Sequence, residues 1–297
     1  MKKLLPVLLC AAMLLCLLPL EARAAAAAWD GTVDISWYDP AQTEYTIDTP
    51  AKLAGLAALV NGMADPAAKA IVGDRSYLVS KKVDNVMLVG AGGGNVFDTV
   101  YTGGVDFAYK TIYLTADLDM GGRKAADGSW TGPNWTPIGG KFPMKPQEAS
   151  GDCLTLDTRF NGVLDGQGHT IYNLYCDRYA AKGFPYSMAV GVVGFLGGNA
   201  DYTNGGSGEK TEAEFKNGWQ PAVRNLVLGS GSIYGRRMVG GIVGRVGETS
   251  NGVVIENCGN RADVRNTDSK GVGGICGSTS GAGTIRGCYN TGTISTT

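Results

Sequence analysis

The stretch Met238–Arg245, MVGGIVGR, returns at Gly271–Ser278 as GVGGICGS, and a third version, AVGVVGF, stands earlier at Ala189–Phe195. Gly244 and Gly277 hold the same place in it, a step of 33 residues (277 − 244). A fixed step of this size is the signature of stacked repeats. The repeat glycines are Gly191, Gly194, Gly240, Gly241, Gly244, Gly273, Gly274 and Gly277. A phosphate-cradling loop would need a strand-to-helix context around them, and that context is missing. Period two sets Gly240, Ile242 and Gly244 on one side of a strand and Val239, Gly241 and Val243 on the other, without deciding which side faces inward.

Outward from the glycines, Thr170–Leu174 (TIYNL) aligns with Ala222–Leu226 (AVRNL), Val254–Cys258 (VIENC) and Thr284–Cys288 (TIRGC). The alignment makes a β-branched column of Ile171, Val223, Ile255 and Ile285, and an asparagine column of Asn173, Asn225 and Asn257 that closes on Gly287. A third column holds Leu174, Leu226, Cys258 and Cys288, while Tyr172, Arg224, Glu256 and Arg286 vary freely, as a solvent-facing position should. If each repeat is one coil, equivalent residues stack about 4.8 Å apart. Aliphatic columns then fill the interior, and asparagine amides satisfy one another along the axis. Steps of 32 and 30 residues (255 − 223, 285 − 255) leave room for three short strands and three turns per coil. The expected fold is all-β, a right-handed parallel β-helix of ~30-residue coils. A β-propeller fits less well, because each repeat has room for about three brief strands and not the four hairpin-linked strands of a blade.

Toward the N-terminus, Lys2 and Lys3, the apolar Leu4–Leu20 and the small residues of Ala22-Arg23-Ala24 read as a cleaved signal peptide over 1–24. Residues 25–62 are expected to cap the stack, with short strands at Thr32–Trp37 and Tyr45–Ile47 across a turn at Asp39-Pro40. An amphipathic helix follows, with Thr49 as N-cap, Pro50 at its first position, Leu53, Leu56, Ala57 and Val60 on one face, and Asn61-Gly62 at its end. Residues 63–107 read as an insertion that includes the strand-like Ser76–Val79 and the glycine run Gly90–Gly94. The β-helix occupies 108–297, interrupted by a loop over Gly140–Asp157 and by polar stretches at Asp177–Tyr186 and Asn199–Gln220. It is expected to continue into further repeats, since no capping pattern closes its C-terminal end.

Removing 1–24 takes away Lys2, Lys3, Arg23 and Glu21 and moves the formal net charge from −1 to −3, which disfavours nucleic acid as a partner. No later segment has the roughly 18 apolar residues of a membrane span. Cys153, Cys176, Cys258, Cys276 and Cys288 would remain. Their odd number and the lack of CxxC spacing argue against a disulfide framework and against zinc.

Val239–Gly244 and Val272–Gly277, with the Asn257-Cys258 and Gly287-Cys288 dipeptides that follow, resemble the GLUG-motif repeats of secreted and surface-attached bacterial proteins. WDGTVDISWYD (29–39), TPAKLAGLAALVNG (49–62), KTIYLTADLDMGG (110–122), WTPIGG (135–140) and FNGVLDGQGHTIYNLY (160–175) resemble the N-terminal part of such adhesin-like chains. The resemblance covers most of 29–297 outside the insertions. It implies an extracellular β-helix without a catalytic site of its own. Some relatives carry a zinc peptidase or a wall anchor; this sequence has no HExxH, no Leu-Pro-x-Thr-Gly, and a single histidine.

That histidine, His169, follows Asp165-Gly166-Gln167-Gly168 and invites an acid/base role beside a carboxylate. It reads more simply as part of a glycine-permitted turn. DGQG and Asn266-Thr267-Asp268 echo polygalacturonases, but the paired aspartates, GHG and RIK segments of that family are missing. Asp117 and Asp119 share a strand face yet lack the further oxygens calcium needs, so neither a metal nor a cofactor is expected. Cys258 and Cys288 read as buried thiols, because parallel neighbours hold their Cβ atoms wider than the ~3.8 Å a disulfide prefers. Trp29, Trp37, Trp130, Trp135 and Trp219 are candidate sugar-stacking residues, those of the N-terminal block doubling as cap core. The function expected is a non-enzymatic scaffold for adhesion or display, whose partner is a host or environmental glycan or a surface protein. A polysaccharide-processing enzyme and a purely structural stalk are the alternatives.

Overall fold

The structure, a computed structural model, describes residues 27–62, 81–89, 95–102, 104–143, 154–178, 188–198, 201–204, 213–267 and 271–297. The signal segment, Cys153, Ser76–Val79, Gly90–Gly94 and Asp268 lie outside the described residues.

Runs of two to five β-branched and aliphatic residues, cut by glycine and asparagine, form five open parallel sheets. The first joins Glu44–Ile47, Thr111–Leu114, Val163–Asp165, Ala222–Arg224, Val253–Glu256 and Gly283–Arg286. The second joins Leu118–Asp119, Thr170–Tyr172, Val227–Leu228, Gly259–Asn260 and Tyr289–Asn290, and the third Leu174–Asp177, Gly231–Gly235, Asp263–Asn266 and Ile294–Thr296. Met188–Val190, Arg237–Gly240 and Val272–Gly273 make the fourth; Val193–Leu196, Val243–Val246 and Cys276–Thr279 make the fifth. From Val163 onward the chain visits the sheets in the same order on every pass. Each pass that reaches the fifth sheet therefore carries five strands, where the spacing predicts three. The difference arises because strands this short fit between bends made by single left-handed residues, such as Asn173, Asn225 and Asn257, which the repeat spacing does not count.

Register corrects the expected columns. The inward column of the first sheet is Tyr45, Ile112, Leu164, Val223, Ile255 and Ile285. Ile171 instead pairs with Leu118 and Leu228 in the second sheet, and Leu174 with Gly231 in the third. TIYNL therefore lies one corner further along the pass than AVRNL. Both corners use a β-branched residue two places before a left-handed residue, so local sequence does not separate them. Leu226, Cys258 and Cys288 do occupy equivalent places at one corner, as expected. In the second sheet the aliphatic column of Leu118, Ile171 and Leu228 passes into Asn260 and Asn290. Asn260 is fully buried and donates to the Asn290 side chain at 2.7 Å.

At the N-terminal end the helix Pro50–Asn61 has the expected caps: Thr49 accepts from the Lys52 amide, and Gly62 turns left-handed with φ 59°. Its expected amphipathicity fails, since Leu53 through Asn61 are all buried. One side meets the core and the other lies under 32–38, where a Cβ on Gly55 would stand 2.0 Å from the Asp34 carbonyl oxygen. Residues 32–37 form turns and irregular chain in place of the expected strand. The Asp30, Asp34 and Asp39 carboxylates each accept an amide two residues on and hold that path. Gly104 and Val105 donate to the Val60 and Leu59 carbonyls, which places the end of the 63–107 segment on the helix C-terminus.

Lys81–Val89 and Asn95–Thr102 pair as an antiparallel hairpin. The expected loop over Gly140–Asp157 also contains strand: Gly140–Pro143, Leu154–Thr158 and Asp201–Asn204 form a three-stranded antiparallel sheet. Two interruptions of the repeat thus pair with each other.

Candidate functional site

The repeat glycines mark places where backbone meets backbone. Gly194, Gly244 and Gly277 hold one position of the fifth sheet. A Cβ there would stand 2.1 Å from Gly139 O, 2.4 Å from Val190 N and 2.6 Å from Val239 N respectively, the last two belonging to the preceding pass. Gly240 and Gly273 form the bend into the fifth sheet, over the carbonyls of Val243 and Cys276 at 2.0 and 2.2 Å; Gly191 meets Gly240 O and Val193 O at 2.9 Å. Gly241 and Gly274 make room for the inward amides of Asn260 and Asn290. The chain bends at Gly241-Ile242, so Val239, Ile242 and Val243 are all fully buried and the period-two division of the motif does not hold.

The asparagines are corner residues with φ between 51° and 55°. Asn257 donates to Asn225 at 3.2 Å and Asn225 to the Asp165 carboxylate at 3.0 Å. Asn173 belongs to a different ladder, donating to Asp119 at 3.0 Å and exchanging bonds with Ser230. Burial works to raise the Asp165 carboxyl, but the bonds from Asn225, the Gln167 amide and Arg224 outweigh it and hold it below the usual range.

The carboxylate beside His169 is Asp117, at 3.1 Å, and the same oxygen accepts the Thr170 amide. Asp119 is engaged separately by the Gly121 amide and Asn173. Among the described residues no cluster of three or more His, Cys, Asp or Glu is placed to hold a metal. Cys176, Cys258, Cys276 and Cys288 are free thiols. Burial pushes Cys258 up to about 12 and Cys176 and Cys276 up to about 11.

The tryptophans divide. Trp135 is buried edge-on to Trp29 at 6.0 Å, and Trp37 packs on Tyr45 at 5.3 Å, as expected of a cap core. Trp29 and Trp135 border an apolar pocket of about 210 Å3 against Ala57 and Ala58. Trp219 donates to Asn161 O and leans on Tyr109 at 5.4 Å.

Trp130 stands elsewhere. It belongs to the antiparallel hairpin of Arg123–Lys124 and Trp130–Thr131, which borders the outer face of the third sheet. Between them runs a groove of about 500 Å3. Its floor follows from strand alternation: Leu174, Cys176, Ile233 and Val264 point inward, so their neighbours point out. Register arranges these neighbours in two rows, Tyr175, Ser232, Asp263 and Thr293 beside Asp177, Tyr234, Arg265 and Ser295. Lys124 reaches across to Asp263 at 3.4 Å, and the Arg265 guanidinium lies 4.0 Å over the Tyr234 ring. Ring faces, hydroxyls and charged groups in parallel rows can stack on a sugar and bond its hydroxyls. Of the groove, the sequence singled out only Trp130. Alternation in the third-sheet strands was the available signal, and only register brings the rows together. The chain matches no family model, no curated protein and no solved structure.

Proposed function

We propose that the five sheets are the walls of a right-handed parallel β-helix, and that the protein is an exported, GLUG-type surface scaffold that adheres by holding a glycan in the third-sheet groove. The observation that carries this reading is the pair of outward rows, in which Tyr175, Tyr234 and Trp130 share one open groove with Ser232, Thr293 and Ser295. Half-buried aromatic rings beside hydroxyls suit a ligand with apolar ring faces and many hydroxyls, which is the chemistry of a glycan. The signal-like 1–24 supports export. Binding without turnover is part of the proposal.

A panel of host and plant polysaccharides tests it with the full-length chain. Saturable binding is expected to at least one, and the double variant Trp130→Ala/Tyr234→Ala should lose it while keeping the parent's circular dichroism and melting temperature. Binding to nothing on the panel, or undiminished binding by the variant, overturns the glycan site. New reducing ends or unsaturated uronates overturn the non-enzymatic part.

A further inference from the structure

The groove's charges are unequally engaged. Lys124 neutralises Asp263 at 3.4 Å, and the Asp177 backbone exchanges bonds with the Asn134 side chain. Arg265 is exposed and stacked on Tyr234, and among the described residues its guanidinium makes no hydrogen bond and no ion pair. The guanidinium lies over the Tyr234 ring and lines the groove with its N–H donors unspent, and a guanidinium's planar fork suits a bidentate anion. On either side in the row stand Tyr234 and Ser295, with Asp263 and Thr293 alongside. The rows run across four strands, roughly 14 Å at the ~4.8 Å strand spacing, so a ligand that uses both rows must extend across several strands.

From this we infer that the groove takes a linear anionic glycan laid across the strands of the third sheet, with a carboxylate or sulfate of one sugar seated on Arg265. The inference rests on the glycan reading above and names its ligand class. Tyr234 serves twice, orienting the guanidinium and flooring the groove. Lys124 keeps Asp263 from repelling the anion.

Calorimetric titration of the full-length chain decides it, using tetragalacturonate, its neutral methyl ester and a sulfated chondroitin tetrasaccharide. The inference expects at least one acidic tetramer to bind roughly tenfold or more tightly than the neutral ester, since each tenfold is about 1.4 kcal/mol, within reach of one charge-assisted bidentate contact. Tetragalacturonate, whose only anions are carboxylates, isolates carboxylate recognition, while the chondroitin tetrasaccharide presents glucuronate and sulfate together. Monomeric galacturonate should bind far more weakly than its tetramer. Arg265→Gln should erase the preference for acid yet retain residual binding, whereas Arg286→Gln, an equal charge loss in the first sheet, should change nothing. Equal affinity for acid and ester, or an unaltered Arg265→Gln, overturns the anionic site and leaves glycan adhesion standing. Binding of no oligosaccharide or polysaccharide overturns both.

Discussion

The first and third sheets are built from the same passes of chain and face solvent in opposite ways. On the first, the outward position reads Asp165, Arg224, Glu256 and Arg286 from strand to strand, alternating in sign. Arg224 donates to Asp165 at 2.8 Å and Arg286 to Glu256 at 2.7 Å, so neighbouring strands neutralise each other. On the third, Asp177, Tyr234, Arg265 and Ser295 stand in one row, and the guanidinium is stacked without an anion among the described residues. One surface completes itself; the other offers its valences outward. The position that sequence alone marks as free to vary is thus coupled between strands.

The contrast should stop at the outward residues. Leu164→Ala in the first sheet and Ile233→Ala in the third both empty fully buried positions, and each is expected to cost about 2–5 kcal/mol in denaturant unfolding. A large inequality between them would mean that the inner walls differ too. Charge reversal separates the sheets more finely. Arg224→Glu leaves the buried Asp165 without its ion pair and sets like charges side by side, for an expected loss of about 1–3 kcal/mol. Arg265→Glu should stay within about 0.5 kcal/mol of the parent. The smallest expected effect is on acid stability. The folded Asp165 carboxyl lies below its ordinary value, so its contribution is complete above about pH 4 and is lost as pH falls through the folded value. Melting temperatures of the parent and Asp165→Asn should therefore converge as the pH drops from 5 to 2, and a constant gap would break the assignment.

Much of this architecture is legible in the sequence. The glycine step marks the repeat, and Thr49, Pro50 and Gly62 bound the helix. The helix's buried outer side is not legible, because the alternation of Val33, Ile35 and Trp37 reads as a strand and the cover crosses at Gly55, a residue that looks like a defect in a helix. Misplacement of Ile171 and Asn173 has a different cause. Two corners of one pass share the same local chemistry, and only strand pairing tells them apart. The groove was hidden for the same reason: Tyr175 and Arg265 are 90 residues apart (265 − 175) and acquire meaning through register.

The alternating signs of the first sheet bear on how such a chain can change length. Loss of the single pass that holds Glu256 would set Arg224 beside Arg286, two cations about 4.8 Å apart. Loss of the two passes holding Arg224 and Glu256 would set Asp165 beside Arg286 and restore attraction. The same parity governs duplication. A change of two repeats therefore keeps opposite charges side by side on this sheet and a change of one does not, a counting rule imposed by one row of side chains.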